Sequence, residues 1–377
     1  MTERVLITGG AGFIGSHTTD ALLEAGYAVR ILDSLDPQVH GPEGRRPEYL
    51  SPEAELVVGD VRDADTLARA LEGVDFVYHM AALTGVTQSM HDVRRYLDVG
   101  VTGTATLWDV LVNRKNRVRK VVLSSSRAVY GEGAYRCDHC EGLVYPKPRG
   151  EAQLQQRDWD CHCPTCGGVV TPAPTPEDKP LDPLSVYAHS KRFQEDICDA
   201  MSLAYDLPVV TLRYFNVYGP RQALRNPYTG IAPVFASRVR NGLPIDVYED
   251  GLPVRDFVHV RDVVQANLLA LDYPGEGMSV FNVGTGEQLT VLDMAKAICQ
   301  EMGHEPRLEF NGRYRVGDIR SCYADLTRSR KELGFEPTIP FRDGVAELVE
   351  WVRTQEQEED RYEQSLRDLR TRGLVRE

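Results

Sequence analysis

A glycine-rich turn between two apolar segments constrains how the first 35 residues of the chain can fold. Residues 5–8 read Val-Leu-Ile-Thr, residues 9–15 read Gly-Gly-Ala-Gly-Phe-Ile-Gly, and a second apolar segment ends at Asp33. Gly9 allows a tight turn, Gly12 lets the backbone approach a phosphate group, and Gly15 lets a helix pack on a strand. The pattern therefore predicts a strand, a turn, a helix and a second strand parallel to the first.

The same segment predicts a dinucleotide site. A helix that begins in the turn directs free N–H groups and the positive end of its dipole at a pyrophosphate. Asp33 ends the second strand, where a carboxylate can bind both ribose hydroxyls of NAD, whereas the 2′-phosphate of NADP would meet like charge. We therefore predict NAD as the cofactor, with Asp60, which follows the next strand, near the adenine.

Apolar segments and segments with helical periodicity alternate along the first 216 residues. The predicted strands are Ala54–Val58, Val74–His79, Arg119–Leu123 and Leu207–Leu212, and the predicted helices include Ala64–Leu71 and Thr102–Asn113. Such βαβ alternation predicts an α/β fold built on a doubly wound parallel sheet, the Rossmann arrangement. Ligands bind at the carboxyl ends of the strands in sheets of this kind.

We expect three regions along the chain. Residues 1–132 and 176–213 form the NAD-binding domain, residues 133–175 form an insertion, and residues 214–377 form mainly a smaller, loop-rich substrate domain. Within that last region, residues 257–285 are expected to return to the Rossmann sheet. Charges of both signs are dense from Gln355 onward, which predicts a solvated helix, with a contact to a partner as the alternative.

A tyrosine and a lysine four residues apart suggest acid–base chemistry. Tyr187 and Lys191 would lie on one face of a helix, and Ser126 ends a predicted strand. A phenol has a pKa near ~10 in water, and a nearby ammonium group and a cationic nicotinamide both favour its ionised form. We therefore predict that Tyr187 acts as a general base, with a buried structural tyrosine as the alternative.

These residues belong to a longer series of motifs. The series comprises residues 8–15, His79-Met80-Ala81-Ala82, Ser126 with Val129-Tyr130-Gly131, Tyr187 with Lys191, residues 213–220, residues 255–260, residues 282–286 and Arg315-Val316-Gly317-Asp318. From Val5 to about Glu347 the chain resembles the extended short-chain dehydrogenases/reductases, specifically the NAD-dependent nucleotide-sugar epimerases and dehydratases.

The resemblance implies a role for each matching residue. Tyr187 would be the base, Lys191 would bind the nicotinamide ribose, and Ser126 would hold the reacting sugar hydroxyl. The predicted cofactor-binding residues are Gly9, Gly12, Phe13, Ile14, Gly15, Asp33, Asp60, Val61, Ala81, Ala82, Tyr187 and Lys191. The predicted residues for a nucleotide-diphosphate sugar are Ser126, Asn216, Arg255, Arg315 and Asp318.

The residues after Ser126 favour one reaction of this family. The 4,6-dehydratases that the chain resembles carry an Asp-Glu pair there, and the uronate decarboxylases carry a Glu, but here the residues are Arg127 and Ala128. These two residues therefore favour the remaining reaction of the family, epimerisation at C4 through a transient 4-keto sugar. Dehydration, uronate 4-epimerisation or decarboxylation, and a non-enzymatic role as a nucleotide-sensing docking protein are the alternatives; the lack of an obvious further basic site disfavours a uronate.

One residue departs from the pattern of the family. The related enzymes usually have an Asn where this chain has Gly100, and that Asn often lies near the nicotinamide or the catalytic tyrosine. Glycine has no amide group in its side chain. We expect a water molecule or Asp98 to replace it.

The insertion contains two pairs of cysteines. Cys137 and Cys140 precede Cys163 and Cys166 in a C-x₂-C-x₂₂-C-x₂-C pattern, which is typical of a tetrahedral zinc site. A closed site of four sulfurs leaves no position for water, so we expect the zinc to be structural. Disulfides are the alternative pairing, and His139, Cys161 and His162 are alternative ligands. Cys198, Cys299 and Cys322 are expected to be buried thiols.

The insertion makes the resemblance specific to a subgroup of the family. Together with residues 221–230, it is similar to that of 4-epimerases that act on a dTDP-6-deoxyhexose such as dTDP-L-rhamnose. A homodimer is also implied by the resemblance, because such enzymes commonly pair through the helix that bears the catalytic tyrosine.

The charge and hydropathy of the chain exclude some partners. The formal net charge of −13 over 377 residues offers no footprint for nucleic acid or an anionic membrane. No apolar segment is long enough to span a bilayer, and the glycines interrupt the first one too early for a signal peptide. We therefore expect a cytoplasmic protein whose cysteines are thiols or metal ligands.

Overall fold

A seven-stranded parallel sheet lies at the centre of the computed structural model, which describes residues 2–224, 226–356 and 362–377. Its strands are β1 (Arg4–Thr8), β2 (Ala28–Asp33), β3 (Glu55–Val58), β4 (Phe76–His79), β5 (Lys120–Ser126), β6 (Val209–Tyr214) and β7 (Met278–Val283). Their order across the sheet is β3-β2-β1-β4-β5-β6-β7, and all six pairings are parallel. The predicted doubly wound parallel sheet is confirmed.

Helices cover both faces of this sheet, because its central strands are apolar on both sides. The principal ones are α1 (Phe13–Glu24), α2 (Ala64–Ala70), α3 (Gly103–Asn113), α4 (Val186–Tyr205) and α5 (Val260–Asp272). On one face α1 packs against α5, and on the other α3 packs against α2 and α4. Val5 and Ile7 of β1 enter one hydrophobic cluster and Leu6 enters the other.

The remaining elements are short or lie outside the central sheet. The other helices are Pro37–His40, Val86–Ser89, Val93–Leu97, Asp98–Thr102 (a π-helix), Arg127–Tyr130 (a 3₁₀-helix), Glu151–Gln155, Ile231–Arg240, Val291–Met302, Ser329–Leu333 (a π-helix), Phe341–Thr354 and Tyr362–Thr371. The other strands are Ala134–Cys137, Cys140–Val144, Thr171–Ala173, Asn216–Tyr218, Ile245–Val247, Val254–Arg255, Phe257–His259, Leu289–Thr290, Leu308–Phe310, Tyr314–Arg315, Ser321–Cys322 and Val375–Arg376.

Residues after β6 build a separate hydrophobic cluster beside the carboxyl edge of the sheet. Helices Ile231–Arg240, Val291–Met302 and Phe341–Thr354 contribute most of its side chains. Val291–Met302 begins with a capping box, in which Thr290 and Asp293 each bond the backbone N–H of the other. It ends at Gly303, which adopts the left-handed conformation that glycine favours at helix ends. Strand β7 nevertheless lies in the central sheet, beside β6.

The C-terminal helix Tyr362–Thr371 is not simply solvated. Tyr362, Leu366 and Leu369 recur at spacings of four and three residues and are buried, whereas the charged residues between them are exposed. The prediction of a helix was correct, and the prediction that it is solvated was wrong on this face. The prediction failed because the three apolar residues of this face are outnumbered by charged residues in the sequence. None of the helices among the described residues is long and apolar enough to cross a membrane.

His79 lies at the end of β4 and is fully buried. Its ring nitrogens lie 2.9 Å from the hydroxyls of Thr8 and Thr104, which satisfy both positions of a neutral imidazole. Burial lowers the pKa of His79 to about 3, and the positive charge of Lys191 adds to the effect. The imidazole therefore remains neutral in the folded protein over the physiological range.

We expect His79 to make the fold sensitive to acid. The unfolded chain takes up a proton near pH 6.5 and the folded chain only near pH 3, so stability is complete above the first value and is lost as the pH falls between them. The loss by pH 4 is about 3 kcal/mol. Denaturant unfolding at pH 7 and pH 4 should show a smaller loss for His79→Gln, and an unchanged loss for the exposed control His189→Gln. An equal loss in all three proteins would contradict this assignment.

Candidate active site

The carboxyl edge of the sheet opens into a cavity of about 580 Å³. All twelve residues predicted to bind the cofactor line it: Gly9, Gly12, Phe13, Ile14, Gly15, Asp33, Asp60, Val61, Ala81, Ala82, Tyr187 and Lys191. Ser126 and Asn216 also line this cavity. The parallel strands therefore bring these positions together, although the first and last are more than 200 residues apart in the sequence.

The glycine turn forms one wall of this cavity. Gly9 has a φ of +73°, and a Cβ atom added there would lie 3.0 Å from the backbone of Ala81, two residues after the neighbouring strand β4. A Cβ atom on Gly15 would lie only 2.5 Å from the carbonyl oxygen of Gly9. Glycine is required at both positions because the start of α1 packs directly on the turn. This cradle, at a helix N-terminus, fits the pyrophosphate of a dinucleotide.

Asp33 and Asp60 lie beside this turn, at the ends of neighbouring strands. The Asp33 carboxylate accepts hydrogen bonds from the N–H groups of Ala11, at 3.0 Å, and Leu35, at 2.9 Å. These bonds fix its orientation at the position expected for an adenosine ribose. Asp60 accepts hydrogen bonds from Arg62, at 2.9 and 2.6 Å, which lower the pKa of Asp60. The acidic side chain at the ribose position, Asp33, suits NAD better than NADP.

Ser126 and Tyr187 meet at the mouth of the cavity. Ser185 caps α4 by accepting a hydrogen bond from the N–H of Ala188 at 3.1 Å, which places Tyr187 in the first turn. Burial raises the pKa of the Tyr187 phenol above its usual value, and a hydrogen bond with Ser126 and the charge of Arg127 offset only part of this rise. The phenol and the hydroxyl predicted to act together are therefore in contact, with a cation nearby.

Lys191 lies one helical turn after Tyr187 and is almost fully buried. Its Nζ donates a hydrogen bond to the carbonyl of Ser124 at 2.7 Å. Burial lowers the pKa of Lys191 to about 8, although the charge of Glu195 opposes this shift. Lys191 thus lines the cofactor cavity. The positive charge that acts on the Tyr187 phenol comes from Arg127.

Gly100 lies in the π-helix Asp98–Thr102, beside α4. A Cβ atom added at Gly100 would approach the side chain of Ser190 to 3.3 Å, so glycine lets the two helices pack closely. The Asp98 carboxylate pairs with Arg94 at 3.3 Å on the surface. Asp98 therefore does not replace the missing amide, because its carboxylate is engaged outside the cavity.

A second cavity, of about 250 Å³, adjoins the first. Arg255, Arg315 and Asp318, which were predicted to bind a nucleotide-diphosphate sugar, line this second cavity. Asn216 and Arg127 line both cavities and so mark the junction between them. Four segments distant in sequence thus converge on one extended site: those after β5 and β6, the strand Val254–Arg255, and residues 315–318.

The polar groups of the second cavity are prepared for an anion. Arg255 donates a hydrogen bond to Asp318 at 2.9 Å. Burial raises the pKa of Asp318, but the charges of Arg255 and Arg315 outweigh it and leave that pKa below its usual value. Within the described residues, the buried Oδ1 of Asn216 and Nε of Arg315 have no hydrogen-bond partner. Unpaired buried polar atoms are uncommon and point to a ligand that completes them.

Arg127 also lines the site, although its sequence position indicated only that the carboxylic acid of the dehydratases is absent there. No carboxylate in the described parts of the chain lies within ion-pair distance of its guanidinium. Burial lowers the pKa of Arg127, and the charge of Arg255 lowers it further, while Asp318 and Glu132 partly compensate. Its place directly after Ser126 was the available signal. An arginine between a phenol and a diphosphate subsite can bind an anionic group of a substrate.

The four predicted metal ligands lie together in the insertion. The sulfur atoms of Cys137, Cys140, Cys163 and Cys166 all lie within 4.8 Å of one another. The distance between the sulfurs of Cys137 and Cys166 is 3.4 Å, and that between Cys140 and Cys163 is 3.8 Å. A tetrahedral zinc site with bonds of about 2.3 Å separates its sulfurs by about 3.8 Å, so the donor set fits zinc.

The alternative pairings and ligands do not agree with this geometry. All eight cysteines are free thiols, including the four in the cluster. Cys161 is buried beside Tyr135 and Glu132, outside the cluster, and His162 bonds Asp158 at 2.9 Å. His139 is not among the grouped ligands found in the described residues.

The insertion also braces the second cavity. Its Arg149 forms two hydrogen bonds with the carboxylate of Glu249, at 2.7 and 2.9 Å, and both side chains are almost fully buried. Arg149 also donates to the carbonyl of Asp318 at 3.2 Å. Asp160 pairs with Arg320 at 3.1 Å. The cysteine-containing segment therefore supports the chain that carries Arg315 and Asp318, a link that sequence spacing could not reveal.

Comparisons with known proteins agree with this site. The model of the NAD dependent epimerase/dehydratase family matches residues 5–149 and 164–284. The dTDP-L-rhamnose 4-epimerase of Burkholderia thailandensis is 39% identical over 353 residues, which cover 93% of this chain and 95% of that protein.

Two solved structures show the same fold. The UDP-glucose 4-epimerase of Thermotoga maritima with UDP-glucose has 31% identity and a TM-score of 0.73, covering 93% of this chain and 98% of that one. The UDP-glucuronic acid 4-epimerase of Bacillus cereus with UDP-glucuronic acid and NAD has 25% identity and a TM-score of 0.75, covering 93% and 99%. The resemblance stated from the motifs is confirmed, and the chain belongs to the NAD-dependent epimerase/dehydratase family.

Proposed function

We propose that the protein is an NAD-dependent 4-epimerase of a nucleotide-diphosphate hexose, a dTDP-6-deoxyhexose such as dTDP-L-rhamnose. The observation that carries this proposal is the position of Ser126 and Tyr187 in the dinucleotide cavity, directly before Arg127 and Ala188, which line the arginine-lined cavity. The relative from Burkholderia, named dTDP-L-rhamnose 4-epimerase, supports the choice of sugar and base. Bound NAD would supply a hydride acceptor that later returns the hydride to the same carbon.

The side chains divide the remaining work between them. Tyr187, as the phenolate, takes the proton of the sugar 4-hydroxyl, and Ser126 holds that hydroxyl by a hydrogen bond. Lys191 binds the nicotinamide ribose, and the charge of Arg127 stabilises the ionised Tyr187. Once C4 is a ketone, Tyr187 holds the proton that the new hydroxyl receives when hydride returns to the opposite face. Atoms balance over the cycle, and no external oxidant is consumed.

The diphosphate of the substrate must be held firmly, whereas its sugar must be free to rotate. Arg255 and Arg315 would hold the diphosphate with forked hydrogen bonds, and Asn216 would donate its amide at the junction. The sugar itself must turn over about its link to the diphosphate between the two hydride transfers. The fixed arginines and the small catalytic set Ser126 and Tyr187 suit that requirement, because they anchor the diphosphate and leave the ring free.

Replacement of Tyr187 by Phe tests this proposal. We expect Tyr187→Phe to lower kcat for dTDP-L-rhamnose by on the order of 10² or more, without added NAD and with an unchanged NAD content. The exposed Tyr205, at the other end of α4, provides the control Tyr205→Phe, which should retain full activity. Product configuration at C4 is read by NMR.

Three outcomes would contradict the proposal. Full activity of Tyr187→Phe would remove the phenol from the chemistry. Deuterium at C5 of the product after reaction in D₂O would indicate dehydratase chemistry instead. Binding of a panel of nucleotide sugars without any conversion would favour the nucleotide-sensing docking protein.

A uronate 4-epimerase is the second candidate function, and Arg127 is the observation that favours it. The sequence showed no obvious basic site for a sugar carboxylate. In the structure, an arginine that has no ion-pair partner among the described residues lies at the junction of the cavities. A neighbour of known structure binds UDP-glucuronic acid. Decarboxylation and 4,6-dehydration are less well supported, because neither Arg127 nor Ala128 provides a carboxylic acid.

The two candidates predict different substrate preferences. If the protein is a dTDP-6-deoxyhexose 4-epimerase, we expect kcat/KM for dTDP-L-rhamnose to exceed that for UDP-glucuronate by about 100-fold or more. An epimerase that anchors the nucleotide would reject both the wrong base and the sugar carboxylate. A higher kcat/KM for UDP-glucuronate than for dTDP-L-rhamnose would favour the uronate reaction. That preference should be lost in Arg127→Met and kept in the surface variant Arg94→Met.

We also propose that the cysteine cluster of residues 133–175 holds one structural zinc ion. The cluster leaves no open position for a substrate, and its segment carries Arg149, which braces the second cavity. Zinc would therefore stabilise the loop without taking part in the reaction.

Metal analysis tests the zinc proposal. We expect one zinc per chain in the purified protein and a loss of that zinc in Cys140→Ser, with a lower unfolding temperature because the insertion loses its cross-link. Cys299→Ser, which alters an isolated buried thiol, should keep its zinc. Protein that contains no zinc after expression in zinc-supplemented medium would contradict the assignment.

The dimer, the location and the domain boundaries are further parts of this proposal. Phe193 and Leu203 of α4 are 45% and 85% exposed, and pairing of two α4 helices in a homodimer would cover them. None of the eight cysteines forms a disulfide, which fits a reducing compartment such as the cytoplasm. Residues 1–132 and 176–213 would act as the NAD-binding domain and most of residues 214–377 as the substrate domain.

A further inference from the structure

The C-terminal segment, Tyr362–Glu377, forms part of the second cavity. Tyr362, Ser365, Leu366, Leu369 and Leu374 line that cavity and do not line the cofactor cavity. Leu366 and Leu369 are only 3% and 4% exposed, so the helix presents them inward. The segment that reads as a charged tail in the sequence is therefore a wall of the proposed substrate site.

The same segment also fixes the backbone of a residue proposed to bind the diphosphate. The strand Val375–Arg376 pairs antiparallel with Tyr314–Arg315, which places Val375 opposite Arg315. The N–H of Val316 donates to the carbonyl of Leu374 at 3.1 Å. Arg315 is thus held from its backbone by the last strand of the chain, rather than by the sheet that carries the catalytic residues.

Side chains connect the helix to this strand pair. The Tyr362 hydroxyl lies 3.0 Å from the Asp246 carboxylate and 3.1 Å from the Tyr248 hydroxyl. The ring of Tyr248 in turn lies under the guanidinium of Arg315, 4.7 Å from its centre. Two phenol rings and the leucines form an apolar wall next to a cation, an environment that suits a planar base joined to phosphates.

The shape of the ligand decides which of its parts meets this wall. A nucleotide-diphosphate sugar is a linear sequence of sugar, two phosphates, ribose and base. With the sugar at Ser126 and Tyr187 and the phosphates at Arg255 and Arg315, the nucleoside must occupy the part of the cavity beyond the arginines. The walls that remain there include Tyr248 and the C-terminal segment.

We propose that the C-terminal segment Tyr362–Glu377 is the nucleoside-binding wall of the substrate site. Its helix packs against the base and ribose, and its last strand fixes Arg315 for the diphosphate. The inference rests on the proposed function for the direction in which the substrate lies. It adds a binding element outside residues 5–149 and 164–284, which the family model matches.

Binding of dTDP and UDP, measured by calorimetry, tests this role without requiring turnover. Deletion of residues 362–377 should raise the Kd of both diphosphates at least tenfold, because the wall and the support of Arg315 are lost together. Leu366→Gln combined with Leu369→Gln should raise both Kd values about three- to tenfold, because the base loses apolar contact area. Arg367→Gln, on the exposed face of the same helix, should leave them unchanged.

The NAD content and unfolding temperature of each variant show whether it has folded. If the deletion does not fold, the double variant decides the question. Kd values within twofold of the wild type in a folded deletion variant or in the double variant would overturn the proposal. Failure of the wild type to bind either diphosphate or to convert any nucleotide sugar would instead overturn the proposed function, so the two failures are distinguishable.

Discussion

The close packing of α1 on the glycine turn is the constraint on which the rest of the site depends. A Cβ atom on Gly15 would lie 2.5 Å from the Gly9 carbonyl, and one on Gly9 would lie 3.0 Å from the backbone of β4's extension at Ala81. Because no side chain intervenes, the N-terminus of α1 lies directly over the ends of β1 and β4. The shape of the cofactor cavity beside the turn follows from this approach.

The parallel sheet converts distant sequence positions into one site. Strands β5 and β6 are neighbours, so the residues that follow them, Ser126 and Asn216, lie at one edge of the sheet. A chain with a net charge of −13 can still present positive charge locally. Arg127, Arg255 and Arg315 line the second cavity, and their charges act on the carboxylate of Asp318.

Much of this arrangement could be predicted from the sequence because it depends on short patterns. The glycine turn, the buried strands and the cysteine spacing each depend on residues within one element, and the structure places all of them as the patterns indicate, with strand ends shifted by up to three residues. The ends shift because hydrogen bonds to neighbouring strands decide where pairing stops.

The residues that sequence reasoning missed act across elements. Arg127 was noted only as a residue that cannot act as an acid, and its position at the junction of two cavities is visible only in three dimensions. Arg149 braces Glu249, which is 100 residues away, and no local pattern connects them. The C-terminal helix was predicted to be solvated because its three inward residues are outnumbered by charges, and only the packed structure shows that they line a cavity.

The position of β7 has a consequence for how the protein is made. Residues 278–283 pair along the whole length of β6, although more than 60 residues separate the two strands in the chain. During synthesis on the ribosome, one edge of β6 therefore stays unpaired until residues 278–283 have emerged. Nascent chains shorter than this expose the hydrogen-bonding groups of β6, which makes them candidates for chaperone capture and for aggregation between strand edges.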